Sequence, residues 1–464
     1  ELKMFIVDDR FKVLEKDGEY YKCGEGGMGD VYFVEDLQNE FNFEIVLKIT
    51  KSDKPEYIDR FKKEIKIMDR LSESAKIVKI LYSNLDIENP YYVMRYFKNA
   101  SVSKFFTSMR LKDDLALQQK VFIEMIDGIQ EIHNQSKYHR DIKPENFLVD
   151  DEKNILVSDF GLAVDLNSDS SRLTQTGEAY GSNGFYPPEF NTDSKTFKYF
   201  DARSDIYMLG KTFYSILTAD TKPTDLDSSK VDDFIYHIIK KACEVKKEDR
   251  YQDLAELKRD LKKLFDYKLN IDDPLGKGET LCKEQYLNNS KVEDLFNIFM
   301  VLSNLEKKEL LKELPVSFFQ VAITDKKIDL NPILETFKEI VEIDDALNNW
   351  GIYPNEFMDK FRESMKVIIE DTHNNVVNTQ TKALSLLLLV QISAQRGEWA
   401  CQKVIQSIND EKLGEEFVGM ALTKELLDNK CINEIEASQC KTASIKKFIR
   451  GYQDKNSSIM GIQY

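Results

Sequence analysis

Two short motifs in a fixed order constrain this chain more than any other feature. The first is His139-Arg140-Asp141-Ile142-Lys143-Pro144-Glu145-Asn146, and the second, 18 residues beyond Asp141, is Asp159-Phe160-Gly161. Between them stands Ile155-Leu156-Val157, an apolar, partly β-branched stretch that reads as a strand. In this arrangement Asp141 can accept the proton of an attacking hydroxyl. Lys143 can neutralise a phosphoryl group in transfer, and Asn146 can hold Mg²⁺. Asp159 adds a carboxylate able to chelate Mg²⁺ between phosphates. Either motif alone can arise by chance; the two in this order, across a strand, argue against coincidence.

Upstream, Gly24-Glu25-Gly26-Gly27-Met28-Gly29-Asp30-Val31 fits G-x-G-x-x-G-x-V. Glycines let a strand–turn–strand backbone approach a phosphate closely and accept positive φ. Alone the pattern is weak. A tight hairpin explains it equally, and a dinucleotide-binding loop would need a helix directly after Gly29, where Val31-Tyr32-Phe33-Val34 reads as strand. Lys48 ends the next strand-like run, Ile45-Val46-Leu47. A strand lysine is commonly an edge charge. Glu64, on the following helix, can orient it toward α- and β-phosphates, or can belong to a solvated face with Glu56, Asp59 and Asp69.

Residues 1 to about 100 read as strands broken by turns, apart from a helix over 56–71 with Ile58, Phe61, Ile65, Met68 and Leu71 at helical spacing. Helices dominate from about 114, over 115–134, 202–217, 231–243 and 253–265. A β-rich stretch followed by an α-rich one suggests two lobes and a cleft. Asp272-Asp273-Pro274 and Gly276-Lys277-Gly278 read as a linker over 267–286. Beyond it, helical patterns run over 291–313, 331–348, 354–371, 378–395, 400–408, 411–428 and 441–453. No fixed-period repeat names a solenoid.

Lys and Arg number 65 against 81 Asp and Glu, a net charge of −16 that a sequence-independent nucleic-acid binder would normally invert. The 6 cysteines show no CxxC spacing, so they indicate neither a zinc ribbon nor a dithiol site, and read as reduced thiols in the cytoplasm. The longest apolar run, Leu386 to Val390, is far short of the roughly 20 residues a membrane span needs. The start, Glu1-Leu2-Lys3-Met4, lacks a signal-peptide layout and an initiator Met, so upstream residues are expected to have been removed.

On these motifs the chain resembles the eukaryotic-type protein kinases of the Ser/Thr class, over roughly residues 11–265, and its GEGGMGDVY loop is most similar to those of bacterial members. The resemblance implies an α+β bilobal kinase fold: a β-rich N-lobe over about 1–97 and an α-rich C-lobe over about 98–266. An all-helical domain would follow over 287–464. It implies ATP and Mg²⁺ as cofactors and protein substrates with Ser or Thr acceptors, because Lys143 stands where Tyr kinases carry a different loop. It implies neither nucleic-acid binding nor integral membrane association. The segment 287–464 would serve a homodimer, a partner or a substrate. The setting stays open between bacterial signalling, phage defence and an effector delivered into a host. The alternative is a pseudokinase acting through partner binding, whose usual sign, loss of the catalytic Lys, catalytic Asp or metal Asp, is missing here.

Residue by residue, the resemblance makes Asp141 the base and Lys143 its assistant at the γ-phosphate, with Asn146 and Asp159 on the metal. Gly24, Gly26 and Gly29 would cover the phosphates. Lys48 would contact them, paired with Glu64. Val31, Val46 and Leu148 would line the base pocket, with Met94 as gatekeeper and Arg95, Tyr96 and Phe97 as the hinge. His139, Phe160 and Met68 would stack between the lobes. Glu189 would pair with Arg250, and Asp205 would anchor the catalytic-loop backbone. Val46 is larger than the usual Ala, Arg95 replaces a frequent Glu, Pro187 stands for Ala, and Ser182 for Thr. Arg140 is the expected dock for a phosphate on the activation segment, where Ser170, Ser171, Thr174 and Thr176 are candidates, with autophosphorylation expected at Thr174 or Thr176.

Overall fold

Alternating burial along short strands builds the first layer of the protein. The computed structural model describes residues 6–25, 29–51, 54–109, 114–160, 164–165, 184–190, 199–342, 355–371, 377–396, 405–406, 408, 410–423 and 436–460. They fall into two units, Glu1–Leu269 and Asn270–Tyr464.

The first unit opens with β1 (Ile6–Val7), β2 (Phe11–Val13), β3 (Glu15–Lys16), β4 (Glu19–Tyr20), β5 (Lys22–Glu25), β6 (Gly29–Asp36), β7 (Ile45–Thr50), β8 (Ile80–Asn84) and β9 (Tyr91–Arg95). Seven of them form an antiparallel sheet in the order β1-β2-β6-β7-β9-β8, with β5 also on β6; β3 and β4 make a separate hairpin. The two-residue period of strands divides the sheet's faces. Phe11, Val13, Val34, Ile45, Leu47, Tyr91 and Val93 pack one core. The register Val31↔Lys48, Val46↔Met94 and Lys48↔Tyr92 puts the alternate residues together on the other face. Helix α1 (Pro55–Arg70) has Pro55 in its first turn, which suits a position whose N–H has no helical acceptor. It buries Phe61, Ile65 and Met68, and with them Glu64.

The helical part of this unit comprises α2 (Val102–Met109), α3 (Leu115–Asn134), α4 (Ala202–Thr218), α5 (Asp233–Ala242) and α6 (Leu254–Asn270). Short strands β10 (Lys137–Tyr138), β11 (Phe147–Val149), β12 (Ile155–Val157) and β13 (Val164–Asp165) carry the motif region. The β11–β12 hairpin lies on α3 so closely that a Cβ at Gly128 would stand 2.4 Å from Val157 Cγ2. On its other side, the Val157 N–H donates to Lys76 O at 2.9 Å and its carbonyl accepts from the Val78 N–H at 3.0 Å. Val157 therefore cannot yield freely. Gly128→Ala is expected to destabilise by about 1–3 kcal/mol through overpacking, read as a lower denaturant midpoint.

The second unit is helical among its described residues: α7 (Pro274–Cys282), α8 (Asn289–Val301), α9 (Asn304–Glu313), α10 (Val316–Ala322), α11 (Asn331–Glu342), α12 (Asn355–Ile369), α13 (Thr379–Arg396), α14 (Glu411–Thr423) and α15 (Ala443–Met460). Helix α13 packs on α11, α12 and α14 and buries the whole run Leu386–Val390, so it is the unit's core helix. Phe337 stacks on Phe361 at 3.8 Å beside it. None of the described helices is long and apolar enough to cross a membrane. Trp350, Trp399 and His373 lie outside the described residues.

Three features differ from the sequence expectation. Residues 274–282, expected within a linker, form α7: Asp273 caps it by accepting from the Gly276 N–H at 3.1 Å, and Pro274 takes the first position. Asp-Pro here starts a helix instead of a turn. The single pattern over 291–313 is broken, because Ser303 and Glu306 form a reciprocal capping box that starts α9 afresh. Helix α10 follows Pro315 in a stretch with no expected helix.

Candidate active site

The cleft-facing side of the sheet supplies the first cluster. Lys48 Nζ lies 2.7 Å from Glu64 Oε1 and 3.8 Å from Asp159 Oδ2. Glu64 is 0% exposed and Lys48 5%, so the alternative of a solvated Glu64 is ruled out. Tyr92, opposite Lys48 on β9, donates its hydroxyl to the same Glu64 oxygen at 3.0 Å. Burial by itself would lower the Lys48 pKa, but the carboxylates of Asp159 and Glu64 outweigh it and hold the ammonium well above its ordinary range. The lysine is therefore a fixed positive charge facing the cleft.

The second cluster is the catalytic-loop motif. Lys143 Nζ donates to Asp141 Oδ2 at 2.8 Å. Asn146 Nδ2 donates to Asp141 O at 2.7 Å and to Asp141 Oδ2 at 3.1 Å. Burial tends to lower Lys143, yet Asp141's charge and hydrogen bond prevail and raise it. The loop is hung from α4: Asp205, fully buried, accepts from the backbone N–H of His139 at 2.8 Å and of Arg140 at 3.0 Å. His133 Nε2 stands 2.8 Å from the same carboxylate. Burial pushes the Asp205 pKa up, and His133 with the loop amides pulls it below the ordinary carboxylate range. Arg140 and Asp159 hold φ of 67° and 59°, sparsely populated for such residues and found where surrounding contacts over-determine the backbone.

Hairpin β11–β12 joins the clusters. Asn146 immediately precedes β11, and Asp159 lies two residues past β12. The Asn146 carbonyl accepts from the Ser158 N–H at 2.8 Å and from Ser158 Oγ at 3.1 Å. His139 and Phe160 are buried with ring centroids 5.3 Å apart, and Met68 is buried too.

A divalent metal fits this donor set. Both Asn146 amide hydrogens are directed to Asp141, which leaves its oxygen as the donor to a cation, and the Asp159 carboxylate is partly exposed. Two hard oxygen donors, with phosphate and water completing the shell, would suit Mg²⁺. Val31, Val46, Met94 and Leu148 are placed for an apolar slot: the first three share the cleft face of the sheet, and Leu148 lies on β11 paired with Leu156.

The glycines differ from expectation. Neither Gly24 nor Gly29 has positive φ. Gly29 is required by the sheet itself, since a Cβ there would stand 2.6 Å from Ile49 O. A Cβ at Gly24 would meet Val31 only at ordinary contact, 3.7 Å. Gly26 and Gly161 lie outside the described residues, as do Gly181, Ser182 and the candidate phosphorylation sites 170–176. The hinge is tied to the sheet at Tyr96, whose N–H donates to Glu44 O at 2.9 Å. The Tyr96 ring packs edge-on against Phe33 at 4.6 Å. Phe97 follows it, half-buried.

Sequence reasoning missed Tyr92 and His133. Tyr92 was visible only as one of a pair of tyrosines in a strand, and its role follows from register with Lys48. His133 sits on α3, and nothing in its spacing points to Asp205.

The chain matches the protein kinase domain family over residues 19–275. Serine/threonine-protein kinase PrkC of Bacillus subtilis is 26% identical over 318 residues, 61% of this chain and 47% of that protein. Probable serine/threonine-protein kinase PknB of Corynebacterium glutamicum is 27% identical over 220 residues, 46% of this chain and 32% of that one. A G-type lectin S-receptor-like serine/threonine-protein kinase SD1-1 of Arabidopsis thaliana is 30% identical over 205 residues, 43% and 24% of the two chains. The matched stretch thus spans about half or less of the length of these relatives. With more than half of its residues inside the matched domain, and with the two-lobed architecture described above, the chain belongs to the protein kinase domain family.

Proposed function

We propose that the unit Glu1–Leu269 transfers the γ-phosphoryl group of ATP, with Mg²⁺, to Ser or Thr hydroxyls of proteins. One observation carries this reading: Lys48, 3.8 Å from Asp159, and the Asp141–Lys143–Asn146 cluster are joined by a single hairpin in one cleft. Asp141 takes the proton of the acceptor hydroxyl as it attacks. Lys143 holds positive charge beside it and neutralises the phosphoryl group in transfer. Lys48, kept charged by Glu64 and Asp159, orients the nucleotide's inner phosphates. Asn146 and Asp159 would hold the metal, whose contribution is to neutralise charge between phosphates. The Ser/Thr preference rests on Lys143 and on the relatives being named as serine/threonine-protein kinases.

Incubation with labelled ATP and Mg²⁺ on a mixed protein lysate, followed by phosphoamino-acid analysis, tests this. Label on Ser and Thr is expected. Label on Tyr alone, or no transfer at all, overturns it. Lys48→Met is expected to cut turnover about 10²- to 10³-fold, the scale for losing one preorganised charge. A variant with near-normal turnover would remove Lys48 from the site.

A further inference from the structure

The hinge and the floor of the cleft meet along a seam of backbone and side-chain pairs. Residues 99–101 run antiparallel to 148–150: Ser101 bridges Leu148, the Val149 N–H donates to Ala100 O at 3.0 Å, and Asn99 Nδ2 donates to Asp150 O at 2.6 Å. At the outer end Arg95 Nη2 lies 2.5 Å from Asp151 Oδ2. Arg95 is the last residue of β9, in the sheet; Asp151 lies in the turn joining β11 to β12.

That turn is stiff. The Asp150 carboxylate accepts from the Glu152 N–H at 2.9 Å, the Asn154 N–H at 2.7 Å and Asn154 Nδ2 at 3.0 Å. Lys120 of α3 donates to Lys153 O at 2.9 Å. Whatever fixes Asp151 is passed down the hairpin to Asn146 at one strand and Asp159 beyond the other. On the sheet side, the Arg95 guanidinium lies 5.3 Å from the Phe43 ring centroid, and Lys98 pairs with Glu44 at 3.2 Å. A cavity of about 530 Å³ opens beside these groups, so salt reaches the pair.

We propose that Arg95 and Asp151 form an interlobe clasp, a pair of positioning residues that hold the hinge and the metal-binding hairpin at one separation and so preorganise the cleft for nucleotide. The proposal deepens the kinase reading and rests on it for its binding arm. Preorganisation of this kind contributes affinity by removing an ordering cost from the binding step. Both ions are about half exposed, with side-chain exposures of 46% and 54%, so the effect is that of a screened pair, roughly 1.5- to 5-fold.

The test uses the full chain and Asp151→Asn, which removes the charge and keeps the turn's shape. MgADP affinity is expected to weaken roughly 1.5- to 5-fold at low salt, with the variant-to-wild-type ratio approaching one near 0.5 M salt. The Arg95→Asp/Asp151→Arg double variant should recover the affinity. A second arm needs no nucleotide: amide exchange over residues 96–100, across the seam from the substitution, should speed up in Asp151→Asn and slow again in the double variant. Affinity that is unchanged or tighter, a ratio indifferent to salt, or a double variant no better than Asp151→Asn overturns the clasp. If the wild type binds no nucleotide, the kinase reading falls, and the exchange arm alone decides whether the clasp exists.

Discussion

Asp141→Ala is expected to lower phosphoryl transfer from ATP by about 10²- to 10⁴-fold while nucleotide binding persists. The Asp141 carboxylate is the group proposed to take the proton, and two neighbours are turned toward it. Lys143 donates at 2.8 Å and Asn146 at 3.1 Å to the same Oδ2. Truncation removes the base and frees Lys143, while Asn146 keeps the backbone carbonyl of residue 141 at 2.7 Å. The pairs of Lys48 with Glu64 and with Asp159 do not involve Asp141, so the nucleotide side of the cleft is left standing. The check is initial-rate transfer of labelled phosphate together with a direct nucleotide titration. A variant that transfers within tenfold of wild type would remove Asp141 as the base and bring back the pseudokinase alternative, in which all turnover belongs to a contaminant.

Arg250→Ala is expected to destabilise the protein by about 3–5 kcal/mol, the range for breaking a buried ion pair from one side. The Arg250 side chain is fully buried. Its Nη1 and Nη2 each reach Glu189 at 2.8 Å. It also donates to Glu244 O at 2.7 Å, Val245 O at 3.1 Å and Arg203 O at 3.1 Å. Removing it takes a donor from three carbonyls at once and leaves the Glu189 carboxylate, without its bidentate partner, to Ser204 Oγ at 2.7 Å and Lys247 Nζ at 3.9 Å among the described residues. At roughly 2–4 °C per kcal/mol for a unit of this size, the transition should fall by roughly 6–20 °C in calorimetry. A drop of under 2 °C would show the pair to be dispensable.

The same pair sets a pH dependence. Burial pushes Glu189 up, but the hydrogen bonds from Arg250 and Ser204 pull harder and leave it below the ordinary carboxylate range. A carboxyl depressed in the folded state stabilises fully above its unfolded value, about 4.3, and loses that stabilisation as pH falls through its folded value. Arg250→Ala should therefore flatten the acid limb of the stability profile below about pH 5.

Much of the chemistry was readable along the chain because it is local. The catalytic-loop and metal motifs are contiguous, so their residues could be named without any fold. Helix α3 is bounded where its apolar spacing begins and ends, and Asp114 caps it. Other local signals were present but masked by stronger ones. Ser303-Asn304-Leu305-Glu306 is a capping box inside a continuous apolar pattern, and Asp273-Pro274 starts a helix with residues that also make turns.

What a chain's own neighbours encode is torsion: 3.6-residue spacing, caps and the alternation of strands. These determined the two lobes, the helical second unit and the identity of the charged groups. Which strand residue faces which is another matter, because register follows from the faces that bury together and not from either strand alone. Tyr92 reaching Glu64, His133 holding Asp205, Tyr96 giving its amide to Glu44 and Arg95 meeting Asp151 all come from such pairings. Each joins residues whose separation along the chain carries no signal, and only close packing of the folded protein brings them within hydrogen-bonding reach.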